Sequence, residues 1–168
     1  MPEVQKMQRK FFQTFVDSSM NGATAAYYRL GKDLEELNVE MNPDIETGKN
    51  ILGESTFNHN GYEINATAEP FYARVGDPMF EALQKIVDEG LQYEGCATTV
   101  VEVHLWDESE TAGKFAAYRQ PVYVVPQSYG GDTSGYQIPF QINYVGAKEA
   151  GYFTPDGNGG GTFEEISG

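Results

Sequence analysis

Apolar and polar residues alternate most strictly over residues 136–144. Tyr136, Ile138, Phe140, Ile142 and Tyr144 fall on one side of an extended chain, and Gln137, Pro139, Gln141 and Asn143 on the other. The pattern predicts a strand with an apolar core side and a neutral polar side, as in a sheet that separates a packed interior from water or a lumen. A Gly-rich corner, Ser128-Tyr129-Gly130-Gly131-Asp132, feeds it. From Thr98 to Asp107, Thr99, Val101, Val103 and Leu105 alternate with Val100, Glu102, His104 and Trp106. Apolar bulk on both faces predicts a central strand. Residues 115–125 read as another strand, in which Pro121 marks an edge, a bulge or a break. Further strands are expected over 23–30, closed by Gly31, briefly over 37–41, and over the alternating segment 62–69.

One segment changes period. Behind Asp77, a good N-cap, and Pro78 at the first helical position, Met79, Phe80, Leu83, Ile86 and Val87 form an apolar stripe that Gly90 ends. Glu81, Gln84, Lys85 and Asp88 supply the solvent side, so the spacing predicts one structural helix over 77–89 packed on the sheet. Residues 1–19 pattern loosely as an amphipathic helix or arm, with Phe11, Phe12, Phe15 and Val16 at helical spacing. Between Asn42 and Asn60, turn formers at both ends enclose an apolar island, Ile51-Leu52. This reads as a long hairpin or loop, whose tip either buries against a partner or folds back onto the parent core. The segment 154–162 is too Gly-rich to bury anything alone and predicts a floppy end.

Composition sharpens the class. A length of 168 residues suits one domain, and 40% hydrophobic residues can fill a core. The 11 Tyr, 10 Phe and 19 Gly favour short strands joined by turns over a helical bundle, so the chain is expected to be mainly β. Twenty-five acidic against 11 basic residues give a formal charge of −14, which disfavours specific nucleic-acid binding on any surface that shares the excess. Asp33, Glu35, Glu36, Glu40, Asp44 and Glu46 form an acidic stretch without a Lys or Arg, readable as a solvated face or a charge-matching surface, whereas Lys6, Arg9 and Lys10 make the N-terminus basic. A lone Cys96 rules out an internal disulfide and suits a reducing compartment. The apolar residues near the N-terminus are interrupted by Gln13, Thr14 and Asp17, so neither a signal peptide nor a spanning helix is expected and the protein is expected to be cytosolic when made.

Candidate chemistry is sparse. His104 reads as a packed strand residue and His59 as a turn residue; Cys96 has no Cys-x-x-Cys partner. The tail around Asp156 lacks the alternating oxygen ligands of a calcium loop, and neither Gly48-Lys49 nor Gly113-Lys114 has the spacing of a phosphate-binding loop. Asn65-Ala-Thr67 matches a glycosylation sequon that no secretion signal accompanies. The expectation is a protein that is not an enzyme and has no cofactor or metal. The polar-faced strand, the loop with an apolar tip and loose ends fit a self-assembling building block.

Several segments in order resemble the major tail (tail tube) protein of long-tailed bacteriophages, siphovirus-type, especially those infecting Gram-positive bacteria. They are Tyr28-Arg-Leu-Gly31, Asn42-Pro43 leading to Lys49-Asn-Ile-Leu-Gly53, Tyr62, Pro70-Phe-Tyr-Ala-Arg74, Gly76-Asp-Pro78, and Ser128 through Phe140. The likeness runs from about Asn21 to Phe153, and the Phe-rich N-terminus and Gly-rich tail depart from it. It implies a β-sandwich or barrel of the tail-tube type with one flanking helix, whose subunits form rings, usually hexameric, stacked into a tube through which DNA is ejected. Ring-bridging parts map to residues 1–20, 42–60 and 151–168. Ring stacking falls to Phe11, Phe12, Phe15, Asn50, Ile51 and Leu52, and sheet and turn assembly to Tyr129, Gly130, Gly131 and Tyr136. The implied partners are further copies of the chain, tape-measure and tail terminator or baseplate proteins, and DNA in passage, with no membrane. The implied place is the virion tail, after assembly in the host cytoplasm. The competing expectation is a monomeric carbohydrate-binding sandwich with Tyr123, Tyr129, Tyr136 or Trp106 as the sugar platform.

Overall fold

Two 12-residue strands, Ala97–Glu108 (β7) and Phe115–Pro126 (β8), form the antiparallel spine of the molecule. They belong to a computed structural model that describes residues 5–20, 22–31, 34 and 37–166. Asp33, Glu35 and Glu36 of the acidic stretch, and the outermost residues of both expected arms, lie outside the described residues. In chain order the other strands are β1 (Phe12–Asp17), β2 (Tyr27–Arg29), β3 (Val39–Glu40), β4 (Pro43–Lys49), β5 (Ser55–Tyr62), β6 (Asn65–Ala68), β9 (Gly130–Asp132), β10 (Gly135–Gln137), β11 (Phe140–Tyr144), β12 (Glu149–Pro155) and β13 (Gly161–Glu165). The main sheet is antiparallel in the order β2-β1-β7-β8-β11-β6-β3, with β12 and β13 attached beside β8. Among the described residues the fold is mainly β with one α-helix, consistent with a β-sandwich.

The sheet branches at β8. Residues 115–119 pair with β12 and residues 122–126 with β11. Pro121 stands at the seam and does not break the strand. Its carbonyl accepts from Val145 N, so its ring nitrogen points toward the gap where one neighbour gives way to the next, and no ladder bond is lost.

Alternation along β7 builds two cores. Val100, with Val16, Val122, Val124, Phe140 and Ile142, packs beneath Met79 and Leu83 of the helix α1 (Pro78–Glu89). Val101 and Val103 point the other way, into a second cluster with Phe15, Tyr27, Ala117 and Phe153. The central-strand expectation therefore holds, for the reason the two apolar faces gave. The helix also follows its sequence. Asp77 Oδ1 accepts from Met79 N at 2.9 Å, and Gly90, at φ 61°, takes the left-handed C-cap.

Three expectations fail. The run 136–144 is not one strand: it divides between β10, paired with β9 in a separate two-stranded sheet, and β11 in the main sheet. Residues 12–17 are neither a helix nor an arm. They form β1, paired between β2 and β7, with Phe15 and Val16 buried on opposite faces. The end of the chain is also not loose from Gly151 onward. β12 and β13 form a hairpin that buries Phe153, and its turn is tied to β2 by Arg29 N donating to Gly159 O at 2.7 Å. Residues 23–26 precede the short β2 without joining it; Asp17 organises that connection, its carboxylate accepting from Ser19 N, Ser19 Oγ and Ala26 N.

Candidate assembly surfaces

Pairing of β4 with β5 turns residues 43–62 into a two-stranded ribbon separate from the main sheet, which settles the hairpin-or-loop alternative in favour of a hairpin. Seven residues on one strand give it a reach of about 20 Å. Every residue of both strands is exposed except Gly61, which is half-buried. The register sorts its side chains. Ile45 faces His59 and Thr47 faces Phe57, with Lys49 opposite Ser55, whereas Glu46 pairs with Asn58 and Gly48 with Thr56 on the reverse. A register shift after Asp44 then brings Tyr62 edge-on to His59, their centroids 4.5 Å apart. The ribbon is thus amphipathic, with Ile45 and Phe57 on a face that meets solvent.

The tip is built by Asn50. Its Oδ1 accepts from Leu52 N at 2.9 Å and Glu54 N at 3.0 Å, and its amide donates to Glu54 Oε1. With its side chain engaged in the turn, Asn50 shapes the tip and leaves Ile51 and Leu52 to present it. Those two are 102% and 77% exposed, so they do not fold back onto the parent core.

The other expected assembly residues divide. Phe15, 1% exposed, is a core residue and cannot stack rings while the subunit is folded. Phe11 is exposed beneath Lys10, and Phe12 is half-buried beneath Arg9. Gly130 and Gly131 lie in the small β9–β10 hairpin, and a Cβ on Gly131 would run into the Gly135 carbonyl oxygen, so the glycine is needed where two backbones meet. Tyr136 is turned onto the helix, edge-on to Phe80 with its hydroxyl donating to Gln84 Oε1 at 2.8 Å, while Ile138, Phe140, Ile142 and Tyr144 of its alternating run are buried. Tyr129 is exposed.

The neutral polar side of β11 is real. Gln141 is flanked by Thr67 and Val125, and Asn143 by Asn65 and Tyr123, so this face carries no ionic side chain across the three paired strands at those positions. The four aromatics considered as a sugar platform do not share a face. Tyr123 pairs with Ala97 at one end of β7, on the side of the sheet opposite to Trp106 at the other end, and Tyr136 is occupied by the helix.

Two groupings escaped sequence reading. The first is an aromatic band. Phe12 pairs across the sheet with His104, the His104 and Trp106 rings stack at 4.5 Å and 10°, and Tyr118 lies 5.3 Å from His104. Arg9 sits over Phe12 and Lys148 over Tyr118. His104 and Trp106, two apart on β7, were the available signal; their neighbours come from other strands. The second is a polar row at the rim of the first core. Glu102 is opposite Thr14 and Tyr118, and Gln120 opposite Val100. Thr14 Oγ1, Gln120 Oε1 and Tyr144 Oη are buried without a hydrogen-bond partner among the described residues, and Lys148 Nζ is 3.9 Å from Glu102 Oε1. Burial pushes the Glu102 carboxyl up against the opposing pull of Lys148. Burial and the Lys148 charge push His104 down, with Asp107 acting in the other direction.

No protein-family model and no curated protein matches the chain. Among the described residues no cluster of three or more His, Cys, Asp or Glu could hold a metal ion, and no helix is long and apolar enough to cross a membrane. Burial raises the Cys96 thiol, whose Sγ lies 3.4 Å from Leu91 O, an environment opposite to that of an activated nucleophile.

Proposed function

We propose that this chain is a structural subunit that associates with copies of itself, a tail-tube protein whose stacked rings form the conduit for DNA in a phage tail. One observation carries the self-association: the β4–β5 ribbon projects an amphipathic surface and an Ile51-Leu52 tip into solvent. An isolated two-stranded hairpin is at best marginally stable in water, and a ribbon with Ile45, Phe57, Ile51 and Leu52 exposed gains stability once another surface covers it. The resemblance of residues 21–153 to tail tube proteins supplies the kind of assembly, with tape-measure and terminator or baseplate proteins as further partners and the virion tail as its place.

The charge balance suits such a conduit. Each Lys or Arg on a channel wall would release counterions from DNA and hold it, whereas the neutral face formed by Asn65, Thr67, Gln141 and Asn143 offers passing phosphates no cation. Sedimentation velocity over a rising concentration series tests the reading. Discrete larger species that vanish when Ile51 and Leu52 are replaced by Asp support it; a persistent monomer with affinity for a saccharide panel favours the carbohydrate-binding alternative.

A further inference from the structure

We infer that the cleft between β1, β2 and the turn joining β12 to β13 is a binding site for a small phosphorylated molecule. Its volume of about 670 Å³ falls in the range of small-molecule sites. Tyr28, Leu30 and Leu37 give it an apolar wall, and its charged lining residues are Arg9, Lys10 and Arg29. No carboxylate lines it among the described residues, on a chain whose 25 acidic residues outnumber 11 basic ones.

These cations are not compensated from within the subunit. Lys114, Arg119 and Lys148 each meet a carboxylate, whereas Arg9, Lys10 and Arg29 meet none among the described residues. Arg9 is nevertheless held in place. Its Nη1 donates to Phe12 O, its Nη2 donates to Leu37 O at 3.1 Å, and its guanidinium lies 5.2 Å from the Phe12 centroid. Neutral carbonyls and a ring face fix the guanidinium without cancelling its charge, and N–H groups remain for a ligand. Thr14 also lines the cleft; it is 3% exposed, and its Oγ1 has no partner among the described residues. A bound acceptor would satisfy that hydroxyl. The nearest acids are turned elsewhere: Glu102, opposite Thr14, faces Lys148, and Asp156 Oδ1 accepts from Asn158 N and Gly160 N inside its own turn. Arg29 N donates to Gly159 O at 2.7 Å, which pins that turn to β2 along one side of the cleft.

A phosphate group matches this lining. Its oxygens accept from guanidinium and ammonium donors together, its charge balances more than one cation, and an organic body attached to it would cover Tyr28 and the leucines. In the main sheet β7 and β8 stand between β1 and the neutral face on β11 and β6, so the site is independent of the conduit reading.

Isothermal titration of the full chain with inorganic pyrophosphate tests this. Saturable binding at one site per chain, weakening as salt rises, is expected. Arg29→Gln should weaken it roughly tenfold, and Lys85→Gln, at an exposed position on α1, should leave it unchanged. Arg9→Gln serves as the second variant, and thermal unfolding verifies that each is folded. No saturable binding, or equal binding by the wild-type chain and both arginine variants, overturns the site. Equal affinity for citrate overturns the assignment to phosphate. Displacement of pyrophosphate by an oligothymidylate at the same phosphate concentration would make the source a nucleic-acid backbone and overturn the small-molecule assignment.

Discussion

Phe153 on β12 lies against Phe15 on β1, their ring centroids 4.3 Å apart and both side chains out of contact with water. The contact joins the two ends of the chain and closes the second core over Val101 and Val103 of the central strand. Phe153→Ala should therefore destabilise the subunit by about 3–5 kcal/mol, as for other large aromatic truncations in cores, measured as a lower urea midpoint at unchanged slope. A change within about 0.5 kcal/mol would mean that the C-terminal hairpin is peripheral.

Gly151 is expected to be nearly as sensitive. A Cβ there would run into the Glu164 carbonyl oxygen and the Phe163 ring, so Gly151→Ala should loosen the β12–β13 pairing and lower the melting temperature. Arg119, ion-paired with both Glu149 and Glu165, ties the same hairpin to β8 but is partly exposed and contributes less.

These residues show where the sequence was legible. Helix α1 could be read in full because its cap, its stripe and its stop are local signals. β7 could be read because both of its faces are apolar. The ribbon's turns and apolar tip were visible, but its amphipathic face depends on the register shift after Asp44. β1 was misread because Phe11, Phe12, Phe15 and Val16 fit a helical stripe, whereas the chain buries Phe15 in one core and Val16 in the other. The C-terminal hairpin was misread because its glycines look like slack; Gly151 and Gly161 instead sit where backbones and rings approach too closely for a side chain. The polar row assembles across several strands and leaves no local pattern, and of the aromatic band only the spacing of His104 and Trp106 is local.

The Glu102 carboxyl gives a pH signature. Burial holds its folded value above that of an ordinary carboxylate, so the folded state holds its proton more tightly than the unfolded state. Stability attributable to this group is thus greatest below the ordinary carboxylate range and declines as pH rises through the folded value. Glu102→Gln should flatten that decline and raise the melting temperature at neutral pH relative to wild type. An unchanged pH profile would place the charge in a better-solvated site than its burial indicates.

Ile51→Asp with Leu52→Asp separates folding from assembly. Both positions are highly exposed, so the monomer's unfolding free energy should stay within about 0.5 kcal/mol of wild type while self-association is lost. Loss of folding by circular dichroism would show that the tip belongs to the subunit's own stability.

The neutral face offers a test of the conduit. If Asn65, Thr67, Gln141 and Asn143 line the channel, Gln141→Lys with Asn143→Lys should give tubes that retain DNA, with an affinity that falls steeply with salt, about 0.9 log unit per log unit of salt for each added phosphate contact. Unaltered DNA release would place this face outside the channel.

Electron microscopy of the purified, concentrated chain is the most direct measurement of the central claim, that exposed β surfaces of one copy are completed by the next. Rings or tubes of uniform diameter are the predicted result, and their absence when Ile51 and Leu52 are replaced by Asp would tie them to the ribbon. Dispersed single subunits of wild-type protein at the highest attainable concentration would contradict it.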